Sequence, residues 1–208
     1  MLNLSYAIKR WPLIEPFIIA GQQHDYVDAV IVTLTDKYGY QGRGEACGVD
    51  YHGETCELIC HQLECVRNHV EHGVSREELQ LLLPAGGARN GLDCALWDLH
   101  CQSRNTSIWL ETGIPQVKTI ETVYTIGIVT LEHAAELANK YKSYKTLKIK
   151  SDHTGSIETI RKVRQICTDA KLIIDANQSW TPALFTQLEA ELKALNIALL
   201  EQPFAVGQ

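Results

Sequence analysis

Three short apolar runs, each ending in charge, recur at a nearly constant interval, and that interval constrains the fold more than anything else in the chain. They are Leu147-Lys148-Ile149-Lys150, Leu172-Ile173-Ile174-Asp175-Ala176-Asn177 and Leu199-Leu200-Glu201-Gln202-Pro203. Lys150 and Asp175 are 25 residues apart, and Asp175 and Glu201 are 26 apart. A strand, a loop, a helix and a return loop fit that length, so Thr146 to Pro203 reads as repeated βα units building a parallel sheet. Equivalent strand ends in such a sheet lie on one rim, roughly 4.8 Å apart from strand to strand. A lysine pair and two carboxylates are thereby expected at the carboxyl ends of neighbouring strands, where α/β proteins place their chemistry.

Side chains on a strand alternate faces, so Lys148 and Lys150 share one face while Ile149 points to the helices. The same parity groups Ile173, Asp175 and Asn177, and Leu199 with Glu201. Two ammonium groups roughly 7 Å apart along a strand disfavour each other's charge. Burial adds to that effect, so one lysine is expected to have a lowered pKa and to serve as a base. Carboxylates on adjacent strands offer the hard oxygen donors that Mg²⁺ takes in small number alongside water. Singly, each signal has a blander explanation: Lys-x-Lys as solvated strand charge, Asp-x-Asn as a turn or helix cap. Their shared order, period and strand position favour the functional reading.

Ahead of this segment the pattern differs. Leu2 to Ile8 alternates as a half-buried strand does, Trp11-Pro12 is expected to interrupt it, and Phe17 to His24 to form a loop. Strands follow at Ala29–Leu34 and Tyr40–Ala46 around an Asp36–Gly39 turn, giving an antiparallel meander. After a loop from Cys47 to Gly53, Ile59, Leu63, Val66 and Val70 form one helical stripe, and Asn90 to His100 a second helix. Strands followed by helices make an α+β domain, placed at residues 1–118. Residues 119–208 form the second domain, with a strand at Thr122–Val129 and helices starting after Thr130, at Ser156 and at Thr181-Pro182. The fold class is thus α/β, an α+β domain followed by four parallel βα-type strands.

A net charge of −6 offers no basic stripe for phosphates, which argues against nucleic acid. No apolar run reaches membrane-span length and no signal-peptide pattern opens the chain, so no membrane partner and a cytoplasmic location are expected. Seven cysteines without framework spacing read as reduced, mostly buried thiols. Gly42-x-Gly44 reads as strand geometry rather than a phosphate loop, and His69 with His72, or Cys56 with Cys60, as ordinary helix residues.

The three strand-end motifs, with the second extended through Asp175-Ala176-Asn177-Gln178-Ser179-Trp180, closely resemble the muconate-lactonizing subgroup of the enolase superfamily, and within it the dipeptide epimerases. Gly42-Arg43-Gly44-Glu45-Ala46, Tyr51-His52-Gly53-Glu54-Thr55 and Ala88-Arg89-Asn90-Gly91-Leu92-Asp93 are similar to family segments as well. The resemblance implies an α+β capping domain over the first half of a modified TIM-type (β/α) barrel, with Mg²⁺ as cofactor. It implies Lys150 as the lysine that moves the α-proton, Lys148 beside it polarising the carboxylate, and Asp175 and Glu201 as metal ligands. Asn177, His24, His52 and Tyr51 are the candidate substrate contacts. The implied reaction is epimerisation of a dipeptide or N-acyl amino acid through an enediolate, with a homo-oligomer at full length.

Other outcomes of the same chemistry stay open: N-acylamino-acid racemase, o-succinylbenzoate synthase, muconate cycloisomerase, or a catalytically inactive binding protein. Two departures stand out. The loop Ala20-Gly21-Gln22-Gln23-His24 lacks the arginine that dipeptide epimerases commonly carry there, which leaves preference for an acidic second residue unsupported. Ser151-Asp152 stands where the family usually has valine and glycine. The family's third metal ligand and opposing lysine come from later strands, so the 208 residues are expected to be a fragment that is inactive alone.

Overall fold

Alternating apolar and polar residues make the first part of the chain a sheet. Its strands β1 (Leu2–Ile19), β2 (Gln22–Asp36) and β3 (Gln41–Ala46) lie in that order, with β2 and β3 antiparallel. The computed structural model describes residues 1–19, 22–49, 52–116 and 118–207. By internal contacts it divides into two units, Met1–Leu13 with Tyr26–Val117, and Ile14–Asp25 with Lys118–Gln208.

The interruption expected at Trp11-Pro12 does not occur: β1 runs through it, and Phe17–Ile19 and Gln22–His24 are strand rather than loop. β1 is an edge of its sheet, and an edge strand tolerates proline because the missing N–H need not serve a ladder. In the first unit, α1 (Cys56–His72) buries Ile59, Leu63, Val66 and Val70 as its spacing requires. Thr55 caps it, its hydroxyl accepting from Leu58 N at 3.2 Å. Two helices go beyond the sequence expectation: α2 (Arg76–Leu82), started by a Ser75/Glu78 capping box, and the short α4 (Ile108–Thr112).

Between them lies α3 (Gly87–Arg104), longer at both ends than expected. Its first N–H, on Gly87, donates to Glu54 Oε1 at 2.6 Å. The helix lies close on β3, and the shared core holds Val30, Val32, Leu34, Leu63, Leu92 and Ala95. The thiols are not mostly buried: Cys47, Cys65 and Cys94 are exposed and Cys167 is buried. Cys65 and Cys94 fall between the buried stripes of their helices, on faces turned to solvent.

The second unit is built from β4 (Tyr124–Ile126), α5 (Leu131–Lys140), β5 (Thr146–Lys150), α6 (Ile157–Ile166), β6 (Lys171–Asp175), α7 (Pro182–Ala194) and β7 (Ile197–Glu201). The four strands pair in parallel in chain order. β4 is shorter than Thr122–Val129, because β5 pairs with it over Tyr124–Ile126 only. Thr130 and Thr181 cap their helices as expected, the latter with Pro182 in the first turn. The helix-facing strand positions carry the core: Leu147, Ile149, Leu172 and Ile174 are fully buried with Ile160 and Val163 of α6. Within this unit, the far end of β1 is tied down by Ile128 N donating to Ile18 O and by Glu15 pairing with His133 at 3.2 Å. No helix among the described residues is long and apolar enough to cross a membrane.

Candidate active site

Register places the charged strand ends side by side: Lys150 is opposite Asp175, and Asp175 opposite Glu201. The segment after β6 is fastened on both sides. Ala176 N, Gln178 N and Trp180 N donate to Glu201 O, Gln202 O and Pro203 O, while Ser151 N donates to Asp175 O at 2.9 Å. Asn177 and Gln178 both adopt left-handed backbone (φ 44° and 66°), which turns the chain back over the strand end. Asparagine tolerates that conformation better than most side chains.

The expected face parity is realised. Lys150 Nζ donates to Asp175 Oδ2 at 2.7 Å and to Asn177 Oδ1 at 2.9 Å. Lys148 Nζ stands 2.8 Å from Asp175 Oδ2 and 2.8 Å from Glu201 Oε2. Asp175 also accepts the Asn177 N–H on its other oxygen, at 3.0 Å. Exposure rises across the group, from 1% at Asp175 and 9% at Lys150 to 22% at Lys148 and 37% at Glu201, so solvent reaches it from the Glu201 side.

At Lys148 the electrostatics run opposite to the lowering expected for one lysine of the pair. Burial pulls the Lys148 ammonium toward a lower pKa, but hydrogen bonds and charge from Asp175 and Glu201 outweigh it, and its pKa is raised. The neighbouring ammonium is outweighed by Asp175, which both lysines contact, and by Glu201, which Lys148 contacts. Burial likewise pushes the Asp175 carboxyl up, and its contacts with Lys148, Lys150 and the Asn177 N–H hold it below the usual range.

The donor chemistry suits a hard divalent cation. Asp175 and Glu201 already bracket a single cationic centre, the Lys148 ammonium, with oxygens from two adjacent strands. Two carboxylates with water completing the shell match the preference of Mg²⁺. Among the described residues, no group of three or more His, Cys, Asp and Glu side chains is placed to hold a metal ion.

The structure therefore brings together Lys148, Lys150, Asp175, Asn177 and Glu201. His24 is half-buried near the start of β2. His52 is an exposed residue of the first unit whose backbone N–H donates to Val49 O at 2.9 Å. Tyr51 lies outside the described residues. Trp180 and Ser151 both stand out in the sequence, but nothing there predicts the contact between them. The Trp180 indole N–H donates to Ser151 Oγ at 3.1 Å, with both side chains buried. A tryptophan shortly after an acidic strand end signals a buried N–H in need of an acceptor, but nothing in the sequence names Ser151, 29 residues away.

Family models cover nearly the whole chain. The N-terminal domain of the mandelate racemase / muconate lactonizing enzyme family matches residues 1–111, and the enolase C-terminal domain-like family matches 130–208. The L-Ala-D/L-Glu epimerase of Escherichia coli is 37% identical over 93% of this chain and 60% of its own length. An enolase family member from Agrobacterium tumefaciens, described with bound sodium and L-Ala-L-Glu, superposes with a TM-score of 0.93 at 29% identity, over 100% of this chain and 63% of that one. A dipeptide epimerase from Methylococcus capsulatus, in complex with Mg and L-Arg-D-Lys, gives 0.88 at 27% identity, over 99% and 62%. The chain thus spans about three fifths of the length of these relatives.

Proposed function

The chain belongs to the mandelate racemase / muconate lactonizing enzyme family of the enolase superfamily, and from that premise we propose that it serves an Mg²⁺-dependent dipeptide epimerase. Residues 1–118 act as the capping domain and 119–208 as the first strands of the barrel. The observation that carries the reading is the convergence of two lysines and two carboxylates on one strand rim, with Lys150 Nζ 2.7 Å from Asp175 Oδ2. Family membership and the dipeptides held by similar structures support the substrate class.

In this reading Lys150, in its amine form, takes the α-proton of the substrate, and its contact with Asn177 Oδ1 aims the nitrogen. Removing a proton next to a carboxylate makes an enediolate, whose negative charge grows only as the reaction proceeds. The Lys148 ammonium faces that charge and stabilises it preferentially. Asp175 and Glu201 are the residues that would hold Mg²⁺, which when bound supplies a further positive charge at the substrate carboxylate. Inversion needs a proton donor on each face of the planar carbon. Among the described residues one lysine pair reaches the rim, so these 208 residues are proposed not to turn over by themselves.

Calorimetric titration of Mg²⁺ into the protein tests the metal assignment. Saturable binding that is lost in Asp175→Asn supports it, and no binding to the unaltered chain overturns it. Proton exchange at the α-carbon of L-Ala-L-Glu in D₂O tests the activity clause. No exchange above background is expected, and robust exchange overturns that clause while leaving the lysine assignment standing.

A further inference from the structure

We propose that Ser151 and Trp180 are positioning residues for Lys150, acting through Asn177, an inference that rests on Lys150 being the proton-transferring lysine. The chain of contacts is continuous. Ser151 directly follows Lys150 at the end of β5, and its hydroxyl, in a residue 1% exposed, accepts the Trp180 indole N–H at 3.1 Å. Trp180 is 2% exposed and closes the turn that begins at Asp175. Inside that turn sit Asn177 and Gln178, two successive residues in left-handed backbone. Neither is glycine, so the turn stores conformational cost and persists because its surroundings hold it.

Those surroundings are unequal. On the β7 side three backbone hydrogen bonds fasten Ala176, Gln178 and Trp180. On the β5 side the fastening among the described residues is the Ser151 N–H on Asp175 O, the indole on Ser151 Oγ and Lys150 Nζ on Asn177 Oδ1, with Ser179 Oγ reaching Ser151 O at a long 3.5 Å. The indole contact is the shorter of the two side-chain links from the far end of the turn to Ser151. Asn177 Oδ1 hangs from that turn, and among the described residues it is one of two acceptors that hold Lys150 Nζ. Loosening the turn on this side leaves Asp175 in place, since it belongs to β6, and widens the excursions of the Asn177 side chain, whose backbone N–H stays on Asp175 Oδ1. Lys150 then keeps its charge partner and loses its direction.

Valine at position 151 has no acceptor for the indole, so Ser151→Val orphans a buried N–H. Threonine keeps the hydroxyl, and Trp180→Phe removes the donor without leaving an orphan. The test is competitive amine labelling at fixed pH with acetic anhydride on the 208-residue chain, with Lys150 and Lys148 quantified by peptide mass spectrometry. Ser151→Val and Trp180→Phe are expected to raise the Lys150-to-Lys148 labelling ratio about threefold to tenfold, the equilibrium weight of one ordinary hydrogen bond. Ser151→Thr is expected to keep the original ratio.

An unchanged ratio in folded Ser151→Val or Trp180→Phe, even with a lowered melting temperature, makes the pair merely structural and overturns the proposal. A ratio raised equally by Ser151→Thr also overturns it, because the hydroxyl would not be the cause. Should Ser151→Val not fold, Trp180→Phe against Ser151→Thr decides. The Mg²⁺ titration of the unaltered chain reports on the functional reading separately, so either claim can fall without the other.

Discussion

Two pairs of residues, each spaced i and i+2 on a strand, organise the two units by opposite means. In the first unit Gly42 and Gly44 leave β3 bare where α3 crosses it. A Cβ on Gly42 would stand 2.2 Å from Ala95 O, and one on Gly44 1.9 Å from Gly91 O. In the second unit Lys148 and Lys150 crowd β5 with two long cations, and the structure answers with Asp175, Asn177 and Glu201. One pair works by having no side chains, and its partner is a helix backbone. The other works by carrying charge, and its partners are single side chains on separate strands. A steric demand of the first kind is met by packing, whereas a charged cluster is expensive to bury and holds together only through its paired partners.

The comparison can be broken most forcefully at Asp175. Asp175→Ala leaves two ammonium groups without their shared buried carboxylate, and the expected loss of stability is about 4 kcal/mol by urea unfolding. Next comes Gly44→Val, whose side chain meets backbone rather than a yielding side-chain tip. It is expected to cost about 3 kcal/mol and to leave Mg²⁺ affinity of any folded fraction unaltered. A loss below about 1 kcal/mol at Gly44, in the range of surface substitutions, would show that α3 can lift off β3 freely. Lys148→Met sharpens the contrast within the charged cluster: Lys150 still pairs Asp175, so the expected loss is only about 1–2 kcal/mol.

The smallest effect concerns pH. Hydrogen bonds that the half-buried His133 donates to Glu136, then to Glu15, raise its pKa. A raised folded-state value means its stabilisation is fully present below the ordinary histidine range near 6.5 and is lost as pH rises through the higher folded value. Protection factors of the amides of residues 14–19, taken against their intrinsic rates at each pH, should accordingly fall across that window, and His133→Ala should remove that fall without altering protection at the Lys148–Asp175 rim.

Much of the second unit was legible because one period carries it. Strand ends, parity and the caps at Thr130 and Thr181 follow from residues within a few positions of one another. The first unit was read less well where tertiary context overrides local pattern. Pro12 reads as a break unless the strand is known to be an edge, and α3 starts at Gly87 because Glu54, 33 residues earlier, supplies its cap. The capping box of α2 was present as Ser75-Arg76-Glu77-Glu78 and went unused. At the site, the residue types and their shared face were readable. The raised Lys148 pKa was not, since it depends on which carboxylates the ammonium reaches. The Ser151–Trp180 contact was hidden for the same reason, being a matter of distance in space between loops.

The reach of Lys148 to Glu201 spans 53 residues of sequence. On a ribosome adding about 5–20 residues per second, Lys148 would be made roughly 3–10 seconds before Glu201. During that interval the nascent chain carries the lysine pair with at most Asp175 and Asn177 to answer it. The rim of charge is therefore completed only some time after the lysine strand is made, and a pause in translation between the codons for Asp175 and Glu201 would lengthen the time that a half-assembled sheet is open to other chains in the cell.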